Sequence, residues 1–164
     1  MDLVLNNRDL QLDDLEEIAT IKVEHKNTEE SFIINQVLRK VNLQNIDGKV
    51  LSDFNNALTE NYVLQYEKFF YNRIAEANKQ EADSILNKTP DYKVTVTTNG
   101  GDVKQVNFVL KKLKKPIYND VTGKYKEIDD NHIFGYIVGE EELYLFQYFA
   151  LGNMLTTKDY FLQK

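Results

Sequence analysis

The sequence predicts an α+β fold. N-terminal helices, one of them long and rich in aromatics, precede an antiparallel sheet of two hairpins plus a strand and a C-terminal apolar helix. Three observations predict it. Apolar residues recur at spacings of three and four from Phe54 to Ala77, the stripe of an amphipathic helix. "NKTPD", residues 87–91, then stops any helix, because Pro90 cannot continue one and pushes Thr89 toward extended geometry. From Tyr92 onward the pattern alternates with period two. The chain divides accordingly into a helical or mixed portion, 1–89, and a β-rich portion, 90–164, which together can form one compact domain.

Taken in order, "LQLDDLEEI" from Leu10 suits a short acidic helix and an early strand equally. "ATIKVEHK" alternates, with Ala19, Ile21, Val23 and His25 on one face, and reads as a strand. Asn27 with Glu30 three residues on has the form of a capping box. It predicts a helix that buries Phe32, Ile33, Val37, Leu38 and Val41. Asp47-Gly48 marks a turn, and Ser52 is the expected cap of the long helix.

The hairpin after Pro90 has a register that can be argued. A three-residue loop, Asn99-Gly100-Gly101, pairs Tyr92 with Phe108 and Val94 with Val106 and puts Gly101 at the left-handed position. A two-residue turn would set Val94 or Val96 against Gln105 or Asn107. "IYNDVTGKYKEI" predicts a second hairpin with Asp120 to Gly123 as its loop and Tyr118 facing Tyr125. "HIFGYIVG" predicts a further strand, with Gly135 at a bulge. Glu140 to Glu142 suit the start of a final helix.

Much chemistry is excluded by composition. With no cysteine there are no disulfides, thiolate nucleophiles or Cys-ligated metals. His25 and His132 are the only histidines, and neither sits in a metal-ligand spacing. Nucleophile elbow, phosphate loop and dinucleotide fingerprint are all missing. The reading is therefore of a non-enzyme with no catalytic residue, metal or cofactor. Asp129 and Asp130 would do acid–base work only if one were buried. "MDLVLNNRDL" lacks the pattern of a signal peptide, and no apolar stretch is long enough to span a bilayer, so the expected setting is cytoplasmic or virion, without membrane insertion.

Charge is segregated. Residues 1–30 carry nine acids and three bases, residues 93–126 eight lysines and two acids, and residues 127–142 six acids and no Lys or Arg. The candidate basic patch is Lys104, Lys111, Lys112, Lys114 and Lys115; the candidate acidic patch is Asp13, Asp14, Glu16, Glu17, Asp129 and Asp130. Flanking acid and the scarcity of arginine argue against a nucleic-acid partner. Lysines at a hairpin end also discourage edge pairing.

Eight of the nine residues from Leu143 to Leu151 are apolar. A helix greasy all round must be covered on all sides. The expected partner or oligomer interface is therefore Leu143, Tyr144, Phe146, Tyr148, Phe149 and Leu151, together with the tail residues Tyr160, Phe161 and Leu162. The functional expectation is a structural or assembly subunit acting through protein–protein contacts in a homo-oligomer, in a phage particle as a neck, tail or capsid accessory. The alternatives are an acidic inhibitor or immunity-type protein, and a nucleic-acid accessory protein using the lysine-rich hairpin.

Overall fold

The computed structural model describes residues 18–68, 73–74 and 78–163. It is mostly β, which overturns the α+β expectation. Eight strands form one antiparallel sheet: β1 (Ile18–His25), β2 (Phe32–Val37), β3 (Lys40–Asn45), β4 (Val50–Leu51), β6 (Tyr92–Thr98), β7 (Val103–Asn119), β8 (Lys124–Ile137) and β9 (Tyr144–Gln147). A two-residue β5 (Arg73–Ile74) extends it at one edge, in the order β4-β3-β2-β1-β6-β7-β8-β9-β5. The helices are short: α1 (Asn56–Leu64), α2 (Lys79–Leu86) and the single turn α3 (Tyr148–Leu151). Because β1 pairs directly with β6, the sheet runs unbroken across Pro90.

The helix expected after Asn27 is instead the β2–β3 hairpin. Its capping pattern yields only one 3-10 turn, Thr28–Glu30, in which the Asn27 carboxamide oxygen accepts from Glu29 N at 3.2 Å. Phe32 and Ile34 then alternate into the core, and Ile34 faces Leu43 across the ladder. Helical spacing and strand alternation both fit so short an apolar run; pairing with β1 decides it.

The long helix is also corrected. α1 is capped by Asn55, whose side chain accepts from Leu58 N at 3.1 Å, and not by Ser52. It stops at Leu64, a 3-10 turn follows at Gln65–Lys68, and α2 is a separate helix capped by Asn78. Only the middle of the aromatic stripe behaves as expected: Tyr62 and Tyr66 are fully buried. Phe69, Phe70, Tyr71 and Ala77 lie outside the described residues.

The expected C-terminal apolar helix is divided: Tyr144–Gln147 form strand β9, and only the single turn α3, Tyr148–Leu151, is helical. The pairing of β9 with β8 explains Gly135, which marks a close approach of rings. A Cβ there would lie 2.5 Å from Phe146 and 3.2 Å from Phe108. One face of the sheet carries the main core, closed by α1 and the C-terminal segment through Leu151, Met154 and Phe161. Phe161 stacks edge-on against Phe32 and Tyr62, with centroids 4.8 and 5.2 Å away. The other face holds a smaller cluster in which α2 places Ile85 against Val109 and Leu143.

The first hairpin forms in the register argued from sequence: Tyr92 faces Phe108, Val94 faces Val106, and Gly101 adopts φ +89°. Tyr118 does face Tyr125. Yet the two expected hairpins are not separate units. They share β7, and "HIFGYIVG" is the inner half of β8.

A projecting arm as candidate interaction site

β7 and β8 outrun their neighbours. β6 begins at Tyr92, opposite Phe108, and β9 ends at Gln147, opposite His132. Beyond those levels the β7–β8 hairpin continues alone to its tip, a reach on the order of 25 Å at ~3.3 Å per residue. An unsupported two-stranded hairpin is marginal in water, so its root and tip need fixings of their own.

Asp129 supplies the fixing at the root. Between the Leu110–Ile133 and Lys112–Ile128 pairs β8 carries three extra residues, and this bulge wraps around the Asp129 carboxylate. One oxygen accepts from Asn131 N at 2.8 Å and His132 N at 3.2 Å; the other meets Lys111 Nζ and His132 Nδ1, each at 3.2 Å. Burial by itself would raise this acid, but the Asn131 N–H, the Lys111 ammonium and the His132 N–H outweigh it and hold the carboxyl below its usual range. β7 then carries three extra residues of its own before the Ile117–Lys126 pair, restoring the register. Pro116, with no N–H to offer a ladder, lies in this second bulge.

At the tip, Asn119 Oδ1 accepts from Val121 N at 2.9 Å and Thr122 N at 3.1 Å, and Gly123 closes the turn with φ +68°. The Tyr118 and Tyr125 rings meet edge-on at 5.2 Å. Lys126 pairs with Asp130, whose carboxyl that lysine draws below its usual value. Four apolar side chains stay in water around this tip: Ile117, Tyr118, Tyr125 and Val121, the last 95% exposed. None has a core to serve.

The basic patch read from sequence divides. Lys104 lies near the opposite end of β7, across from Val96. Lys111 is committed to Asp129, while Lys112, Lys114 and Lys115 are exposed along the arm's root. The acidic patch divides too: Asp129 is buried, Asp130 is exposed, and Asp13, Asp14, Glu16 and Glu17 lie outside the described residues.

The apolar C-terminal residues are placed mostly inside. Leu143, Tyr144, Phe146, Leu151 and Phe161 are buried by this chain alone. For these five the chain supplies its own cover, Leu143 in the smaller cluster and Tyr144, Phe146, Leu151 and Phe161 in the main core. Tyr148 and Tyr160 are half-buried, Tyr160 accepting from Asn153 Nδ2 at 3.0 Å. Phe149 is 95% exposed and Leu162 is partly so.

His25 is buried against Tyr92 with Nε2 2.8 Å from Thr156 O, a packing role. Among the described residues no group of three or more His, Asp or Glu is arranged to hold a metal ion, and no helix is long and apolar enough to cross a membrane. Sequence reasoning gave no interaction role to Ile117, Tyr118, Val121 or Tyr125, although it paired the two tyrosines. The signal for that role was the lack of any Gly, Asn or Asp between Lys111 and Tyr118, which lets one strand run past the body of the sheet. No protein-family model, curated protein or solved structure matches the chain.

Proposed function

We propose that this protein is a non-enzymatic assembly subunit whose β7–β8 arm engages a neighbouring copy. The observation that carries the reading is the arm itself. A hairpin anchored at its root and tip holds Ile117, Tyr118, Val121 and Tyr125 in water, away from any core. Rigid apolar side chains at an ordered tip cost little entropy to bury against a partner. A phage particle, in which many copies meet in fixed geometry, suits such a subunit.

Sedimentation velocity over a wide concentration range tests this. The expected result is assembly of the wild type beyond a monomer, and a shift toward monomer in the triple variant Y118S/V121S/Y125S with its circular dichroism unchanged. A wild type that stays monomeric throughout, or a triple variant that assembles equally well, would refute the reading.

A further inference from the structure

The inner stretch of the arm has an open side. Just before β6, Asp91 is the last residue on that side to bond β7: its N donates to Phe108 O at 2.8 Å and its Oδ2 accepts from Leu110 N at 2.8 Å. Past Leu110 no strand among the described residues pairs with β7 on that side. Instead a cleft of about 540 Å³ lies between β7 and α2. Ile85, Leu110 and Phe134 line it as an apolar floor; Lys111 in its wall is committed to Asp129, so its open charge comes from Lys88, Lys112 and Lys114, opposed in the lining by Glu81 alone. None of these three lysines has an ion-pair partner among the described residues. A free strand edge beside an apolar floor and unpaired ammonium groups fits an extended, acidic, partly apolar peptide, added as a further strand.

We propose that the occupant is residues 10–17 of a second copy of this chain. That segment, "LQLDDLEE", combines Leu10, Leu12 and Leu15 with Asp13, Asp14, Glu16 and Glu17 and has no base of its own. Charge complementarity favours it, and reach decides which copy supplies it. Ile18 sits beside Thr98, at the opposite end of the sheet from the cleft. Thr97 faces Val103, and Lys112 lies nine residues further along β7, so the cleft is ~30 Å from Ile18 at ~3.3 Å per residue. Asp13 is five residues before Ile18 and reaches no more than ~18 Å even fully extended. The acids of a chain therefore cannot enter its own cleft, whereas those of a neighbour can. A contact joining one end of a molecule to the other end of the next is heterologous, and repeats into a ring or a filament.

The inference rests on the assembly reading, and a charge swap separates the two. One full-length variant carries D13K/D14K/E16K/E17K and another carries K88E/K112E/K114E. By sedimentation velocity each alone should associate at least ~tenfold more weakly than wild type, and an equimolar mixture, with opposite charges facing again, should recover association. Carbodiimide cross-linking of mixed light and heavy-isotope wild type should join Asp13 or Glu17 to Lys112 or Lys114 between copies. Unchanged association of either variant, no recovery on mixing, or cross-links only within one copy would overturn the proposal. So would binding of a single-stranded oligonucleotide that K88E/K112E/K114E abolishes while self-association persists. If the arm-tip variant falls to monomer and the charge swaps have no effect, assembly stands and only the cleft assignment fails.

Discussion

Two residues show how tightly this sheet is specified. Gly135 is needed because the Phe108 and Phe146 rings, 5.4 Å apart, close over it. Both rings are fully buried and have nowhere to retreat. We expect G135A to destabilise the fold by about 1–3 kcal/mol, as overpacking does, seen as a lower urea midpoint at an unchanged slope. Asp129 is the second. Its carboxyl is held below its unfolded value, so its contribution is complete above the ordinary carboxylate range and is lost as pH falls through the depressed folded value. The amide resonances of Asn131 and His132 should titrate with a midpoint below the ordinary ~3.9, and D129N should abolish that step. A midpoint at or above the ordinary value would remove the proposed root anchor.

At the scale of elements, the β2–β3 turn explains the largest misreading of the N-terminal half. Leu38 and Arg39 occupy it with φ of 48° and 65°, where Asn-Gly is usual. Without that signal the stretch from Phe32 to Val41 looks helical. A left-handed leucine costs roughly 1–2 kcal/mol, and Leu38 is 92% exposed, so its side chain contributes little packing in return. L38N should therefore stabilise the protein by about 0.5–1 kcal/mol, read from chemical denaturation; a destabilisation would mean that the leucine has a contact role. The opposite case is the first hairpin. Asn99-Gly100-Gly101 specifies its loop locally, and one register buries Val94, Val96 and Val106 together.

Across the whole molecule, the arm and the start of β1, on which the proposed assembly rests, sit far apart. The arm extends from one end of the sheet, and Ile18 lies at the other. Association driven by the arm tip should weaken little with salt, since it buries apolar side chains. Association through the lysine-lined cleft should weaken steadily as salt screens it. Comparing the wild type at low and high ionic strength apportions the two.

Local chemistry determined the strand at Ile18–His25, the register of the first hairpin, the pairing of Tyr118 with Tyr125 and the absence of thiol chemistry. Each depends on neighbours in sequence: alternation, a glycine loop, a residue count. Tertiary structure alone decided that Phe32–Val41 is a hairpin, that the apolar run at Leu143 opens with strand β9, and that β7 outruns β6. Those outcomes turn on strand pairings in a sheet whose longest, Ile18 with Thr98, spans 80 residues, and short apolar runs satisfy helix and strand equally until a partner is present. Asp129 shows the same division. It reads as a solvated loop acid beside Asp130, and only the bulge of β8 buries it against Lys111 and His132.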